Sequence, residues 1–285
     1  MSRLVVQHPQ LSEAAVDAFR AVLGRAPTLH LPQLATWEPV TIDGEEVGEI
    51  ADRIGVDAEI VPLSARLSDY RLIAFDMDST LITVECIDEI ADFAGRKAEV
   101  AAITEAAMRG EIADYNESLR RRVALLAGLP ESALQHVYDE RVRLSPGAEA
   151  VIVAARAAGL KILLVSGGFR FFTERLAQRL HLDFTRSNTL EIVDGRLTGR
   201  VLGEIVNADV KRRTVEETCA AIGCTPAQAI VVGDGANDLK MMSIAGVSVA
   251  YRAKPIVRSE TTHAINHCGL DAILNWFVDQ LPTAP

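Results

Sequence analysis

Short apolar runs that end in polar clusters constrain the fold of this chain more than any other feature. From residue 70 onward, four strand-like runs are separated by helix-like segments, and the first three end in polar clusters: Arg71–Phe75, Lys161–Val165, Ala229–Val232 and Val247–Ala250. Continuous apolar runs of this length are typical of strands that are buried on both faces. Their alternation with helices predicts a Rossmann-like α/β fold on a parallel sheet. In such sheets the functional site lies at the carboxyl ends of the strands, where the polar clusters of this chain also fall.

The segments between the runs carry helix and hairpin signals. Ile87–Val142 contains no strand-like run and predicts several helices, one of them capped by Asp114. Four further helices are expected at Ala148–Ala158, Arg170–Leu180, Asp209–Ile222 and Asn237–Ala245. A β-hairpin is predicted where an Asp-Gly pair at 194–195 separates two apolar runs, Leu190–Val193 and Leu197–Leu202.

Residues 1–69 follow a different pattern and predict a small accessory α+β unit. Leu4–Gln7 is expected to be a strand, and Ser12–Leu23 an amphipathic helix capped by Ser12. The pair Asp43-Gly44 is interpreted as a turn. Regulation by a ligand, dimer formation and simple packing all stay open as roles for this unit, because its residues indicate none of them in particular.

Composition narrows the class of protein. Of the 285 residues, 49% are hydrophobic and 24% are charged, which is typical of a folded globular chain. Only 5% are aromatic, so the core must be aliphatic. The net charge of −10 argues against a nucleic-acid or anionic-membrane partner. The length fits two domains or one large domain that carries an insertion.

The sequence also indicates the cellular compartment in which the protein is expected. Its first eleven residues contain no apolar region of the kind that secretory signals carry. The longest uncharged stretch, Thr218–Gly233, is too short to span a bilayer. Four cysteines without a Cys-x-x-Cys pair predict buried thiols in a reducing environment. No further ligand near His263, His267 and Cys268 completes a zinc set. We therefore expect a cytoplasmic protein.

Three strand ends and one helix carry the groups that predict chemistry: Asp76-Met-Asp78-Ser-Thr80, Ser166-Gly-Gly168, Gly233-Asp-Gly-Ala-Asn-Asp238, and Lys211. Clustered carboxylates repel one another unless a divalent cation neutralises them. Oxygen donors without thiolate or imidazole favour Mg²⁺ over zinc. A serine hydroxyl, glycine amides and an ammonium suit an oxyanion such as phosphate. Together these groups predict phosphoryl transfer.

Three similar motifs are excluded by their spacing. In an EF-hand reading of the Asp76 loop, Leu81 would stand where glycine is needed and Ile87 where glutamate is needed. A dinucleotide fingerprint at Gly233 would place the carboxylate of Asp238 where its third glycine belongs. The chain contains no G-x-x-x-x-G-K-[ST] sequence and therefore no P-loop.

The four motifs resemble those of the haloacid dehalogenase-like superfamily of phosphohydrolases. Within it, the sequences FDMDSTL, VSGGF and VGDGAND are similar to those of the phosphoserine phosphatase family. The resemblance covers residues 70–280, roughly three quarters of the chain. It implies a phosphatase core over residues 70–285 with an inserted helical cap over residues 84–145. Residues 1–69 lie outside it and resemble at most a shortened amino-acid-binding (ACT-type) extension.

The resemblance also implies a role for each motif residue. Asp76 is the expected nucleophile, and Asp78 is the expected general acid and base. The Asp76 carboxylate, the Asp78 backbone carbonyl and Asp234 are the expected ligands of Mg²⁺, while Asp238 steadies the metal's waters or Lys211. The transferring phosphoryl group is expected to bind four residues: Ser166, Gly167 through its amide, Lys211 and Asn237.

The expected substrate is phosphoserine, which carries an ammonium and a carboxylate beside its phosphate. The resemblance assigns their recognition to Glu85 and Arg122 in the cap, although either residue also fits an ordinary solvated helix face. Met108 and Tyr115 match positions that line the family's pocket, and phenylalanine is the commoner residue at the latter position. A related phosphatase for another small phosphomonoester, and a regulatory protein on a decayed catalytic scaffold, are the alternatives.

Overall fold

A computed structural model describes residues 1–108, 111–112 and 114–281, without the side chain of Met108. Two sheets organise this part of the chain: one of four antiparallel strands within residues 2–62, and one of seven strands within residues 72–265. No helix among the described residues has the length and apolar character needed to cross a membrane.

The smaller sheet consists of β1 (Ser2–Gln7), β2 (Leu29–Leu31), β3 (Leu34–Val40) and β4 (Asp57–Pro62), in the spatial order β2-β3-β1-β4. Two helices share a hydrophobic core with it: α1 (Glu13–Leu23) and α2 (Gly44–Ile54). Side chains alternate along β1, so Leu4 and Val6 enter this core while Val5 packs into the core of the larger sheet. The accessory unit (residues 1–69) therefore has apolar contacts on both faces of its sheet.

Both helices of the accessory unit begin at a side-chain cap. Ser12 accepts a hydrogen bond from the Ala15 N–H at 3.2 Å, as the sequence predicts. The Asp43 carboxylate accepts one from the Glu45 N–H at 3.1 Å, and a helix follows. The interpretation of Asp43-Gly44 as a turn is therefore wrong, because the aspartate satisfies a free amide at the start of α2.

Carboxylates on β4 attach the accessory unit to the rest of the chain. Asp57 is buried and accepts backbone N–H groups from Asn266, His267 and Cys268 at 2.7, 3.1 and 2.8 Å. Glu59 accepts the Ala264 N–H at 2.8 Å. Charge-assisted bonds to several amides at once fix the position of β4 against this segment.

The larger sheet has the spatial order β11-β10-β9-β5-β6-β7-β8. Its strands are β5 (Leu72–Phe75), β6 (Lys161–Phe169), β7 (Phe184–Val193), β8 (Arg196–Leu202), β9 (Ala229–Gly233), β10 (Val247–Tyr251) and β11 (His263–Ile265). All neighbouring pairs are parallel except β7 with β8, which form the predicted hairpin. The predicted α/β fold with a parallel sheet is therefore confirmed.

Nine helices follow among the described residues: α3 (Cys86–Phe93), α4 (Lys97–Met108), α5 (Tyr115–Ala124), α6 (Ser132–Glu140), α7 (Ala148–Ala157), α8 (Arg170–Leu180), α9 (Ala208–Ala221), α10 (Leu239–Met242) and α11 (Pro255–Arg258). Short 3₁₀ segments occur at Leu67–Asp69, Pro226–Gln228 and Leu270–Trp276, and a wider turn at Met77–Leu81. Helices α3 to α6 form the helical insert (residues 84–145) between β5 and β6.

The core is aliphatic, as the low aromatic content predicts. Every residue of β5 and β9 is buried, and most are valine, leucine, isoleucine or alanine. The four cysteines form no disulfide, and Cys86, Cys219 and Cys268 are buried. β5 and β9 thus end inside the molecule, and the residues that directly follow them are largely shielded from water.

Three elements differ from their predicted bounds. β7 begins at Phe184 rather than at Leu190, and its first half pairs with β6. β6 continues through the Ser-Gly-Gly segment to Phe169. The helix expected over Asn237–Ala245 is only four residues long, because the Gly-Asp-Gly-Ala-Asn segment before it forms a tight loop.

Two adjacent segments connect the helical insert to the sheet, and we call them the neck (residues 81–84 and 143–145). Ile82 and Leu144 form an antiparallel bridge. The Thr83 N–H donates to the Arg143 carbonyl at 2.9 Å, and the Ser145 N–H to the Leu81 carbonyl at 3.0 Å. The chain therefore enters and leaves the insert at one place.

Candidate active site

A cavity of about 450 Å³ lies between the carboxyl ends of the middle strands and the helical insert. The sheet side contributes Asp76, Asp78, Gly167, Gly168, Phe169, Asp234, Ala236 and Asn237. The helical insert contributes Glu85, Ile87, Thr104, Ala107, Ile112, Tyr115, Ser118, Leu119 and Arg122. The cavity therefore has a polar floor and a wall that mixes apolar and charged groups.

Asp76 forms the floor of the cavity at the end of β5. Its N–H donates to the Val232 carbonyl at 2.9 Å, which aligns it with the neighbouring β9. Its Oδ1 accepts a hydrogen bond from the Lys211 ammonium at 2.6 Å. Burial and the Asp238 carboxylate raise the pKa of Asp76 well above its usual range, while Lys211 opposes that rise.

Asp78 lies two residues further on, in a loop whose shape is set by Ser79. The backbone of Ser79 is left-handed with φ +57°, an unusual conformation for a residue that is not glycine. The Asp78 Oδ1 accepts the Cys86 N–H at 3.0 Å, at the start of α3. Burial, and then the nearby Glu85 carboxylate, raise the pKa of Asp78 to about 7. Asp78 can therefore carry or release a proton near neutral pH.

Lys211 joins two carboxylates beneath the cavity. It is fully buried on α9, and its Nζ donates to Asp238 Oδ1 at 2.7 Å as well as to Asp76. The second oxygen of Asp238 accepts the Gly235 N–H at 3.1 Å. Burial alone would lower the pKa of Lys211, but the Asp238 and Asp76 carboxylates more than offset it and raise that pKa. The ammonium therefore stays charged.

The end of β6 presents backbone and hydroxyl donors. Ser166 is fully buried, and its Oγ accepts the Gly168 N–H at 2.8 Å. A Cβ at Gly168 would come within 2.6 Å of Asp78 Oδ2, so a side chain there would displace the Asp78 carboxylate. The Gly167 carbonyl accepts from Asn188 Nδ2 at 2.7 Å, which fixes the orientation of this peptide.

Three carboxylates offer oxygens that lie within 4.8 Å of one another: Asp76, Asp234 and Asp238. The Thr80 hydroxyl donates to Asp234 Oδ1 at 3.1 Å. Burial, and then Asp238, raise the pKa of Asp234 to about 7. Three carboxylates face one ammonium, so the fully ionised cluster carries excess negative charge. A hard divalent cation fits such an all-oxygen donor set.

The helical insert presents Arg122 to the cavity and turns its two neighbours away. Arg120 and Arg121 are exposed, and Arg121 pairs with Glu117 at 2.7 Å. The Arg122 Nε is buried and has no hydrogen-bond partner among the described residues. A buried guanidinium donor left unpaired at a cavity wall is suited to a carboxylate ligand.

Of the other predicted insert residues, Glu85 and Tyr115 line the cavity. Glu85 lines the cavity, and its Oε1 accepts a hydrogen bond from the Ser79 hydroxyl at 2.7 Å. Tyr115 also lines it, at the start of α5. The side chain of Met108 lies outside the described part of the structure. Asn237 lines the floor, where its amide oxygen occupies the space that a Cβ at Gly235 would need.

Sequence reasoning missed Asn188 as part of the site. Asn188 is buried in the first half of β7, accepts the Val206 N–H at 2.8 Å and donates to Gly167. It therefore links the Gly167 peptide to the chain that leads into the Lys211 helix. Asn188 stands in the polar sequence FTRSNT, and nothing in that pattern distinguishes it from its neighbours.

Comparisons with known proteins agree with this geometry. Residues 73–243, more than half of the chain, match the haloacid dehalogenase-like hydrolase family. A phosphoserine phosphatase from Polaromonas sp. is 58% identical over 224 residues, which cover 77% of this chain and 95% of that protein.

Two solved structures extend the likeness to nearly the whole chain. A HAD-family hydrolase from Salmonella enterica serovar Typhi has a TM-score of 0.89 at 34% identity, covering 99% of this chain and 100% of that one. A probable phosphoserine phosphatase from Vibrio cholerae, in unliganded form, has a TM-score of 0.84 at 36% identity, covering 98% and 88%. The accessory unit is therefore shared with both structures.

Proposed function

The chain belongs to the haloacid dehalogenase-like hydrolase family, and on that premise we propose that it is a phosphoserine phosphatase. It hydrolyses O-phospho-L-serine to L-serine and inorganic phosphate. One observation supports phosphoserine as the substrate. Glu85 and Arg122, whose Nε is unpaired, line the wall of the same cavity that has Asp76 and Asp78 at its floor. Many phosphate esters could bind the groups at the floor of the cavity. The charged side chains of the wall favour a substrate that has both an ammonium and a carboxylate.

Asp76 is the nucleophile in this proposal. Its carboxylate oxygen bonds to phosphorus while the bond from phosphorus to the serine oxygen breaks, which leaves an aspartyl-phosphate. Asp78 gives its proton to the departing serine oxygen. A water then attacks the phosphorus, Asp78 takes the water's proton, and the bond between phosphorus and Asp76 breaks to release phosphate. The pKa of about 7 at Asp78 suits a group that gives and takes a proton in turn.

The transferring group is held by donors that the fold has already oriented. The Ser166 oxygen accepts the Gly168 N–H, so its own proton is available to a phosphoryl oxygen. The Gly167 amide and the Lys211 ammonium complete the set, Asn237 positions the group, and Asn188 holds the Gly167 carbonyl that follows the amide. Donors arranged before the substrate arrives stabilise the charge that spreads over phosphoryl oxygens in the transition state.

The proposed cofactor is Mg²⁺, held by the Asp76 carboxylate, the Asp78 backbone carbonyl and Asp234. Both Asp238 oxygens are already engaged, by Lys211 and by Gly235, so Asp238 positions Lys211 in this proposal. When bound, the cation neutralises negative charge on the phosphoryl oxygens and the clustered carboxylates.

Recognition of the serine part is assigned to the helical insert. The Arg122 guanidinium pairs with the substrate carboxylate, and Glu85 pairs with its ammonium. The insert thereby acts as the cap of the site, over residues 84–145, on a phosphatase core of residues 70–285. In this proposal the protein is cytoplasmic and catalyses the last step of serine biosynthesis.

The accessory unit, residues 1–69, is proposed as a separate domain whose role stays open between ligand regulation, homodimer formation and packing. A deletion of this unit separates these roles. Changed kinetics in the presence of serine indicate regulation, and a changed sedimentation coefficient indicates a dimer contact. If the truncated chain differs from the full chain in stability alone, the unit serves packing.

The test is phosphate release from L-phosphoserine, beside phosphothreonine and a panel of sugar phosphates, with Mg²⁺ and with EDTA. We expect selective release from phosphoserine that EDTA abolishes and added Mg²⁺ restores. Release from a sugar phosphate with phosphoserine ignored would keep the chemistry of Asp76 and discard the roles given to Glu85 and Arg122. Equal rates with EDTA would contradict the metal assignment.

A further inference from the structure

Tyr115 is the residue of the helical insert that comes up against the Ser-Gly-Gly segment. It is the first residue of α5, and its ring reaches from the insert into the cavity. A Cβ at Gly167 would overlap the Tyr115 hydroxyl oxygen, so the phenol lies directly against the Gly167 backbone. The hydroxyl is thus beside the peptide whose amide faces the phosphoryl group in the proposed mechanism.

The surroundings of this hydroxyl are those of a ligand contact. The charged groups that act on it are Lys211, Arg122, Asp76 and Asp78, all of which belong to the proposed site. Burial raises the pKa of Tyr115, so the phenol stays protonated and can donate. No described residue accepts a hydrogen bond from it. A hydroxyl that has no protein acceptor and lies at the wall of a polar cavity is available to donate to a substrate oxygen.

The first turn of α5 is held in place from two sides. The Asp114 carboxylate accepts the Asn116 N–H at 2.9 Å and so caps the helix. The Asn116 side-chain oxygen accepts from Asn207 Nδ2 at 3.2 Å, and Asn207 is the cap of the helix that carries Lys211. Tyr115 is therefore fixed between the Gly167 segment and the Lys211 helix, the two elements that supply phosphate donors.

We propose that the Tyr115 hydroxyl binds the phosphoryl group, donating a hydrogen bond from the helical insert to a phosphoryl oxygen beside the Gly167 segment. This inference rests on the proposed phosphatase function and adds to it a donor on the insert. It makes the insert a contributor to phosphate binding as well as to recognition of the amino acid.

The experiment compares Tyr115→Phe with Tyr138→Phe. Tyr115→Phe removes the hydroxyl and keeps the ring, and Tyr138→Phe makes the same change on α6, outside the cavity. For Tyr115→Phe we expect kcat/KM for phosphoserine to fall about 10- to 100-fold, the range of one hydrogen bond to a charged acceptor. The dissociation constant of inorganic phosphate, measured by calorimetry in the presence of Mg²⁺, should rise by a similar factor. Tyr138→Phe should match the wild-type protein in both.

Wild-type values of kcat/KM and phosphate affinity in Tyr115→Phe would overturn the inference and leave Tyr115 as an apolar wall. Loss of catalytic efficiency with unchanged phosphate affinity would also overturn it, because the hydroxyl would then act elsewhere. Failure of the wild-type protein to hydrolyse phosphoserine would instead defeat the proposed function. In that case the phosphate affinities of the wild-type and Tyr115→Phe proteins still decide the inference, since that measurement uses no substrate.

Discussion

At the scale of single residues, the site depends on one shared ammonium. Lys211 is fully buried and donates to both Asp76 and Asp238, while Gly235 holds the other oxygen of Asp238. Removal of one member of such a cluster leaves a buried charge without its partner, which costs more than the lost contact. The three side chains therefore act as a unit, and their single-variant effects will not add.

Asp76→Asn should abolish turnover while leaving the fold intact. Asparagine keeps the shape of the side chain and a carbonyl oxygen for Lys211, but it cannot act as a carboxylate nucleophile. We expect kcat for phosphoserine to fall by several orders of magnitude with little change in the far-UV circular dichroism spectrum. Asp17→Asn, on the exposed surface of α1, is the matched control and should retain full activity. Near-normal turnover by Asp76→Asn would refute the assigned nucleophile.

How far the sequence predicts the site depends on where each residue's partners lie. Asp76, Asp78 and Asp234 are predicted because they stand directly after apolar runs, and strand order alone then brings them together. Asn188 is not predicted, because its partners Gly167 and Val206 lie 21 and 18 residues away and depend on the pairing of β7 with β6. Short motifs encode local geometry, and a long-range hydrogen bond leaves little trace in them.

At the scale of elements, Asn207 ties α9 to the helical insert. Its side-chain oxygen accepts the Asp209 and Val210 N–H groups, each at 3.1 Å, and its amide nitrogen donates to Asn116 on α5. Asn207 thereby caps the helix that carries Lys211 and also bonds to the first turn of the helix that carries Tyr115. A change at Asn207 affects the stability of one helix and the placement of the other.

We expect Asn207→Ala to lower the free energy of unfolding by about 1 kcal/mol, the usual effect of losing a helix N-cap. Asn207→Asp should keep that stability, because aspartate caps equally well, but it loses the donor to Asn116. Both variants should lower kcat/KM for phosphoserine, and urea unfolding curves separate their stabilities. Equal stability of Asn207→Ala and the wild-type protein would contradict the capping role.

Elements whose residue pattern fits one kind of secondary structure are predicted well, and elements whose pattern fits two kinds are not. The runs at β5 and β9 are apolar throughout, β10 is interrupted only by Ser248, and all three match their predicted positions within a residue or two. The first half of β7 contains exposed polar residues, so no apolar run in the sequence predicts a strand there. Asp43-Gly44 suits a turn and a helix start equally, and only the packing of α2 on the small sheet decides between them.

At the scale of the whole molecule, the accessory unit is attached by buried polar contacts as well as by apolar ones. Asp57 binds three successive backbone amides after β11, and Val5 and Val61 join the hydrophobic core of the larger sheet. Because the accessory unit covers these three amides, water cannot replace the Asp57 carboxylate as their hydrogen-bond acceptor. The two sheets should therefore unfold together.

We expect Asp57→Ala to lower the free energy of unfolding by about 3 kcal/mol, because three backbone donors lose a charged acceptor in a buried place. Asp52→Ala is the control: its carboxylate is 76% exposed and 3.8 Å from Arg258, so its removal should change stability by less than about 0.5 kcal/mol. Urea unfolding monitored by tryptophan fluorescence measures both. Equal stability of the two variants would contradict the role given to Asp57 in attaching the unit.

The helical insert is attached to the sheet at the neck and also at the β7–β8 hairpin. The two segments of the neck run side by side and are joined by the Ile82–Leu144 bridge and two backbone hydrogen bonds. At the hairpin, the Gly128 N–H donates to the Leu197 carbonyl at 2.8 Å, and the Glu131 N–H donates to the Gly195 carbonyl at 2.9 Å. A body that is held at two places cannot rotate about one of them unless the other releases it. Glu85, Tyr115 and Arg122 therefore keep their positions relative to Asp76 while both attachments hold, and they engage a ligand together.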